Sequence, residues 1–551
     1  VNHSPSQVTL VLLIPPERLL RTTIFENLAF LYLEASLEKA GYRCSIIDNL
    51  AFRMSYQQVR KAICADPPSL ILGFAIFDYN CDITIKMIRD LRESGYKGHI
   101  VLGGIWASLR YRELLTTVKE IDSVAVGEGE NLIVELAGCL SGGCGWSAIS
   151  GIASRNDGDS ISFAPREMPD DVDSLQVPER SGYYSSLASE NRLISISASR
   201  GCHMRCSFCN ISRYISLCGG TRWRPRNPEK VVDEIEHIVK TTEMRNFNFI
   251  DDCFTGRGEE GLKRAQCFAE EILRRGLVIR FSICTRSDGI NMELFSELKR
   301  AGLSFVLAGI ESFSDSQLVR YRKGTTVETN LKALTVLDKL GIAYSFALIL
   351  IDPYVTRDEI VENLEIVKNL RVDRIANIMG YIKLNEYLEM FESCSRDSLI
   401  RDVARNELGI SRVSYDFRYD DVRGLAEKIM AMSDILDRCM KELLCAKVEK
   451  HLYLSGWLQF ENRAIVLLKK AAHRYLRQVV FSDNADDEAR MITVRLNAIL
   501  KSISSLVRSV SREDILEQRK RSIDIDGTVI SMRPPDLDEV VESFSVSGRG
   551  V

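Results

Sequence analysis

The sequence predicts an α/β chain in three parts: two successive strand–helix series and then a helical region. Three observations carry that expectation. Short apolar runs alternate with amphipathic stretches from Val8 to Leu140, and again from Leu193 to Glu386, as in parallel sheets covered by helices. Glycines close several of the strand-like runs, Gly103 and Gly104 after IVL and Gly127 and Gly129 after VAV. In such sheets those carboxyl ends face the ligand crevice. Past Asn385, Leu425, Ile429, Met432, Leu436, Met440 and Leu443 recur at intervals of three and four, a helical stripe.

Residues 1–140 read as a doubly wound, Rossmann-like domain. VTLVLLI, CSIID, SLILGFAIF, HIVLGG and SVAVG are its strands. LAFLYLEASLEKA is a helix closed by Gly41, and TIKMIRDLRESG is another, stopped at Gly95. Over residues 141–191 the pattern breaks. A hairpin turning at Asn156-Asp157-Gly158 is followed by a Pro- and Asp-containing linker expected to lie over the surface between domains. Residues 192–386 give strands LISISAS, FNFID, RFSICTR, FVLAGIES, YSFALILID and RIANIMGYI. The helices between them include PEKVVDEIEHIVKTT, EEGLKRAQCFAEEILRRG, MELFSELKRAG and VETNLKALTVLDKLG, three of the four ending in Gly. Six such repeats predict a partial (β/α)6 barrel of TIM type. Residues 387–551 are expected to form a helical domain with a polar, fraying tail.

At 551 residues the chain is too long for one core, and 45% hydrophobic with 27% charged residues is a globular composition. The net charge of -4 lacks the basic balance of a protein that grips a phosphate backbone, which argues against a nucleic-acid partner. Fifteen cysteines are scattered without a secreted disulfide framework. VNHSPSQVTLVLLIPP is not expected to act as a signal peptide, lacking a cationic start and a small-residue cleavage site, and no run reaches the ~18 apolar residues of a membrane span. The expectation is a reducing cytoplasm, no membrane, and mostly buried structural thiols.

SASRGCHMRCSFCNIS places Cys202, Cys206 and Cys209 in a C-x3-C-x2-C loop directly after the first strand of the second series. Thiolates are the ligands of iron–sulfur clusters, and three of them leave one iron of a cubane open. The competing readings are a zinc site, a ferredoxin cluster and a chance trio of buried thiols. Zinc wants a fourth ligand, and His203 has neither the direction nor the spacing for it. A ferredoxin cluster wants a fourth cysteine, of which Cys218 is the nearest.

With Phe208 before the third cysteine, the loop resembles the signature of the radical S-adenosylmethionine (SAM) superfamily. FIDDCF, CTRSD, AGIES and RYRKGTTVETNLKALTVLDKLGI are similar to further landmarks of that family, over Leu193 to Leu370. The resemblance implies a four-iron four-sulfur cluster whose open iron is chelated by the methionyl group of SAM. An electron then cleaves the sulfonium to a 5′-deoxyadenosyl radical. It also implies an external electron donor such as flavodoxin or ferredoxin. Phe208 is then expected near the adenine, and Arg286, Glu311 and Ser312 at the methionyl or ribose groups. Asp251 and Asp252 are open between a ligand contact and a cap on the following turn. IDPYVTRDEI departs from the Gly-Pro-Gly-like turn of many relatives, so no adenine contact is carried over there.

VLLIPP, LILGFAIF, IVLGGIWAS and above all VGEGE at Val126–Glu130 resemble the cobalamin-binding domain fused to many radical enzymes. By that resemblance Gly73, Gly103, Gly104 and Gly127 are candidate corrinoid contacts. The Asp-x-His-x-x-Gly motif that ligates cobalt from below is absent. His99, the one histidine between Val8 and Leu140, opens a strand and reads as structural. The reading that follows is a cobalamin-dependent C-methyltransferase acting on an unactivated carbon of a small-molecule or natural-product substrate. The alternatives are a radical SAM enzyme of rearrangement, cyclisation or oxidation that binds no corrinoid, and an iron–sulfur electron-transfer or sensor protein. Tyr381, Tyr387 and Phe391 are read as core packing, with a substrate pocket as the alternative.

Overall fold

The structure is a computed structural model. It describes residues 7–531 except 16–23, 50, 53, 157–158, 181–191, 372–373, 377–378, 410, 450–454, 483, 510–521 and 526–527. The first series supplies strands β1 (Val8–Leu12), β2 (Ile24–Phe25), β3 (Cys44–Asp48), β4 (Ile71–Ala75), β5 (His99–Gly103) and β6 (Ser123–Ala125). All but β2 form a parallel sheet in the order β3-β1-β4-β5-β6. β1 is buried along its whole length, as a strand covered on both faces must be. The expected helices stand at Leu28–Lys39 and Cys81–Glu93.

The segment expected as a surface linker lengthens this sheet instead. β7 (Ile152–Arg155) and β8 (Ile161–Phe163) add to it antiparallel, beyond β6. They cover what would otherwise be an open edge of unpaired backbone groups. The hairpin closes through the Asn156 amide on the Ser160 carbonyl at 2.8 Å. Asp157 and Gly158 of the expected turn, and residues 181–191 of the linker, lie outside the described residues.

The second sheet runs through β9 (Arg192–Ile196), which is followed by a small antiparallel pair, β10 (Ser199–Gly201) and β11 (Trp223–Pro225). β12 (Asn246–Phe249), β13 (Arg280–Arg286), β14 (Leu303–Gly309) and β15 (Ala343–Ser345) continue it in the order β15-β14-β13-β12-β9-β2. Its outer strand is therefore β2, lent by the first series through Ile24↔Arg192 and Phe25↔Leu193. Beyond β15, among the described residues, the runs YSFALILID and RIANIMGYI pair through isolated parallel bridges, Phe346↔Ile375 and Ile351↔Tyr381. The partial barrel is thus regular through β15, the start of the expected fifth strand, and irregular beyond it.

Strand alternation divides the barrel's side chains. Phe247, Phe249, Phe281, Ile283, Val306 and Ala308 are buried beneath the helices, with Phe249 edge-on to Phe254, Phe268 and Phe281. The opposite face carries Asn248, Ile250, Ser282, Cys284, Phe305 and Leu307 toward the lumen. Ile250 and Leu307 are 50% and 43% exposed there.

The last part is less purely helical than expected. Long helices Asp420–Glu449, Ser455–Phe481 and Ala485–Ser509 are present. An antiparallel hairpin, β16 (Ile400–Arg405) and β17 (Ser411–Tyr415), precedes them, and a second, β18 (Ser522–Ile525) and β19 (Thr528–Ser531), stands in the expected tail. These helices share one continuous apolar core with the barrel, from Ile194 to Ile503. No helix among the described residues is long and apolar enough to cross a membrane.

A buried ion network ties the first series to the barrel. Arg180 Nε lies 3.0 Å from Glu26 Oε1, and its Nη2 lies 2.9 Å from Glu234 Oε1. Arg226 Nη1 meets Glu234 Oε2 at 2.7 Å, and the Ser195 amide donates to Glu26 Oε2 at 3.0 Å. The side chains of Glu26, Arg180, Arg226 and Glu234 are at most 2% exposed. Removing one partner of such a network strands a buried charge. Glu234→Ala is expected to cost about 3–5 kcal/mol in urea unfolding, and Glu234→Gln clearly less.

Candidate functional site

Asp251, 3% exposed, fixes the chain as it leaves β9. Its carboxylate accepts the Ala198 amide at 2.9 Å and the Ser199 hydroxyl at 2.6 Å. The two acids of FIDDCF therefore part company: Asp251 braces the strand end, while Asp252 lines a crevice. Gly201 then turns the chain with φ +79°. A Cβ there would stand 2.2 Å from the Arg222 carbonyl, so glycine alone fits.

Cys202, Cys206 and Cys209 follow in a half-buried loop. Cys209 precedes the helix Asn210–Cys218, and its sulfur accepts the amides of Ser212 and Ile211. Burial pushes the Cys206 and Cys209 thiols up, while the nearby Lys323 ammonium opposes it at both. Lys323 is 5% exposed, and its Nζ bonds Glu311 Oε1 at 3.0 Å. Arg286 holds Asp288 through Nε and Nη2 at 2.9 and 2.8 Å. Its Nη1 is buried with no partner. Buried cations around three thiols, one of them with an unused donor, suit an anionic thiolate-held cluster and a carboxylate bound beside it. Among the described residues no three His, Cys, Asp or Glu side chains converge on a single ion. A cubane asks for no such convergence, because each thiolate takes a different iron.

The other expected contacts divide. Phe208 packs edge-on to Tyr321 at 5.5 Å, behind a loop anchored by the Ser207 amide on the Tyr321 carbonyl at 3.0 Å. Glu311 has φ +67° and faces Lys323. Ser312 is fully buried, and its hydroxyl donates to Gln317 at 2.6 Å and Asn363 at 3.2 Å. The departing IDPYVT run also has a structural task. Asp352, fully buried, accepts from Tyr321 at 2.7 Å and Arg320 at 2.9 Å, bracing the backbone behind the cysteine loop. Cys253 and Lys323 went unremarked in the sequence. Cys253 hydrogen-bonds Cys202, and its place in FIDDCF was the available signal.

A crevice between the two sheets encloses about 330 Å³, within the ~300–1,000 Å³ of small-molecule sites. Gly73, Gly103, Gly104 and Gly127 all line it, as do Gly201, Tyr214 and Asp252 from the barrel side. A Cβ on Gly103 would meet nothing within 4 Å, whereas one on Gly73 would press Leu10 Cδ2 at 3.0 Å. Gly103 is small toward the crevice, and Gly73 is small for packing. Burial, with Asp251 and Cys253 beside it, raises the Asp252 carboxyl to about 7.

The VGEGE carboxylates hold the two sheets together. Arg224 grips Glu128 through both terminal nitrogens, at 3.0 and 2.5 Å, and Arg200 bonds Glu130 at 2.7 Å. Burial alone would raise the Glu128 carboxyl, but the guanidiniums of Arg224 and Arg200 outweigh it and hold it below the usual range. His99 bonds Ser123 at 2.8 Å and packs edge-on to Trp146. Burial lowers it to about 4, and it does not line the crevice. Cys218 ends its helix, 3.5 Å from where a Cβ of Gly127 would stand. Tyr381 donates to Asp434 at 2.8 Å, Tyr387 lies under the Arg110 guanidinium at 5.1 Å, and Phe391 packs on the barrel core.

Residues 196–385 match the radical SAM superfamily, and residues 21–137 match the B12 binding domain. An uncharacterized methyltransferase of Pyrococcus horikoshii is 27% identical over 66% of this chain and 78% of its own length. The anaerobic magnesium-protoporphyrin IX monomethyl ester cyclase of Synechocystis is 27% identical over 57% of this chain and 62% of its own, so less than two thirds of that relative is spanned. Among solved structures, the cobalamin-dependent SAM radical enzyme OxsB, with aqua-cobalamin and SAM bound, shares the fold. Its TM-score is 0.73 at 18% identity, over 90% of this chain and 76% of that one.

Because a Cβ at Gly103 would meet no protein atom within 4 Å on the crevice wall, Gly103→Val separates binding from folding. Retention of cobalamin after desalting is expected to fall at least ~10-fold, with stability within about 1 kcal/mol of the parent in urea unfolding.

Proposed function

We propose that this radical SAM enzyme, whose cofactors are a four-iron four-sulfur cluster, SAM and cobalamin, transfers a methyl group to an unactivated carbon of a small-molecule substrate. The observation that carries the reading is the shared crevice: Gly103 and Gly127 from one sheet face Gly201 and Asp252, at the mouth of the cysteine loop, from the other. Seats for both cofactors then adjoin, as transfer between them requires.

In this reading Cys202, Cys206 and Cys209 hold the cluster, and Arg286 offers its free Nη1 to the methionyl carboxylate. The Glu311–Lys323 pair keeps a buried cation beside the thiolates. Gly103, Gly104 and Gly127 let the corrinoid approach the strand ends. When bound, the cluster supplies the electron that cleaves SAM, and the corrinoid carries the methyl group. The lumen supports an unactivated carbon as target. Ile250 and Leu307, with Phe305 behind them, present exposed apolar surface there, which favours a hydrocarbon part of the substrate near the cluster and keeps water from it.

A second reading, ring closure or oxidation, is favoured by the relative named as a cyclase. Anaerobic enzyme reconstituted with iron, sulfide and cobalamin, then given methyl-labelled SAM and reductant, separates the two. The methyltransferase reading expects 5′-deoxyadenosine, lost in Cys206→Ala, together with label on the retained corrinoid. 5′-Deoxyadenosine with an unlabelled corrinoid would put the second reading first. No cleavage of SAM at all would refute both.

A further inference from the structure

Among the described cysteines Cys64, Cys144 and Cys267 are exposed. Cys64 and Cys267 each stand on a helix without a second cysteine, Tyr56–Ala65 and Gly258–Arg274. Cys144 has a neighbour. The helix Glu130–Gly142 ends in AGCLSG, and Gly143 follows it in the left-handed region at φ +69°. The Gly143 and Cys144 amides both donate back to the Cys139 carbonyl, the latter at 3.0 Å. Closing a helix on a left-handed glycine lays the next residue over the last turn, against the side chain five positions earlier. That contact is commonly apolar; here it joins two thiols. Cys139 hydrogen-bonds Cys144, and this bond, with desolvation after it, pushes the Cys139 thiol up. The surroundings are open: a Cβ on Gly142, Gly143 or Gly145 would meet nothing within 4 Å. The other end of the same helix belongs to the site. Glu130 accepts from Arg200 at 2.7 Å, and Leu132, Ile133 and Leu136 line the crevice.

We propose that Cys139 and Cys144 form a thiol–disulfide exchange site, closed to an intramolecular disulfide by small disulfides of the glutathione class. The exposed Cys144 attacks first, as a thiolate, forming a mixed disulfide and releasing one small thiol. Cys139, half-buried beside it, gives its proton to solvent and displaces the second small thiol. Two protein thiols become one disulfide while one small disulfide becomes two thiols, so no other oxidant enters. A disulfide needs side chains directed at each other across Cα atoms less than about 7 Å apart, and the capped turn directs these two at each other. Cys202 also hydrogen-bonds a second thiol, but that one, Cys253, is fully buried and out of reach of a dissolved disulfide. Four residues separate Cys139 from Cys144. A ring that small removes little chain entropy from the unfolded state, so its effect is local. It stops the last helical turn from opening, where helices fray first. Being exposed, the bond is of the labile, reversible kind. The turn it pins belongs to the helix that walls the crevice.

The test uses the full chain, purified anaerobically with its cofactors and then given glutathione disulfide. Free thiols are blocked with iodoacetamide, and the protein is cut with trypsin and mapped by mass without reduction. Cys139 and Cys144 fall on one tryptic peptide, residues 120–155. That peptide is expected unalkylated and lighter by two hydrogen atoms, and dithiothreitol is expected to restore both alkylation sites. Cys64 and Cys267 are expected to stop at mixed disulfides, for want of a second thiol. Cys139→Ser is expected to accumulate the glutathione adduct on Cys144, and Cys144→Ser to leave Cys139 open to alkylation. Amide exchange over residues 140–145 is expected to slow at least ~10-fold on oxidation of the parent and to stay unchanged in Cys144→Ser. Two glutathione adducts on the peptide, two alkyl groups, or a crosslink to a second chain would each overturn the proposal. The readout is covalent mass, so loss of cluster or corrinoid during the treatment leaves it decisive.

Discussion

Four side chains decide how the molecule is put together: Arg200 and Arg224 on one side, Glu128 and Glu130 on the other. The glutamates stand on the turn that follows β6 of the first sheet, and the arginines flank the cysteine loop of the second. Arg224 is buried, and its two-point grip on Glu128 is directional, so it sets orientation as well as distance. Breaking either pair would strand a charge in a place water reaches poorly. The clamp therefore holds the glycine ends of one sheet against the mouth of the other, and the crevice exists because that distance is fixed.

The rest of the site is built on the same logic, in which irregular backbone is held by buried polar groups. Asp251 pins the exit from β9, Asp352 braces the backbone behind Phe208, and the Glu26–Arg180–Glu234–Arg226 network ties the first series and the connecting segment to the barrel. Such groups bring specificity of arrangement at a cost in desolvation, met here by multiple hydrogen bonds to each carboxylate. What they leave free is telling. Arg286 Nη1 has no partner, Asp252 faces open space, and Gly103 borders a void.

Much of this was legible in the sequence. The three cysteines, the strand–helix alternation and the glycine strand ends are local patterns, and local patterns survive folding. The helix Pro228–Thr242 and β13 fall on the residues that periodicity and composition indicate. What could not be read depends on pairing between distant segments. β2 is two residues long, and it is a strand only because β9 lies beside it. The hairpin of β7 and β8 reads as a connector until the edge it covers is known. Ser312 sits in a motif similar to a ligand-binding one, yet its hydroxyl is consumed by Gln317 and Asn363, the latter 51 residues away. Glu128 and Glu130 belong to a run that signals the domain, and their partners lie about 70 to 96 residues further on. The β16–β17 hairpin is half an exception: SRVSY alternates at period two, whereas IRDVAR does not, its register shifting between Ile400 and Asp402.

The central claim is that cluster and corrinoid occupy one crevice, face to face. Electron paramagnetic resonance on the anaerobic enzyme loaded with both, with cobalt as cob(II)alamin and the cluster reduced, tests it most directly. The account predicts that the cobalt signal broadens and relaxes faster when the cluster is reduced, through dipolar coupling of neighbouring spins, and that Gly103→Val abolishes the effect. A spectrum that is the plain sum of two independent centres, with both cofactors shown to be bound, would contradict it.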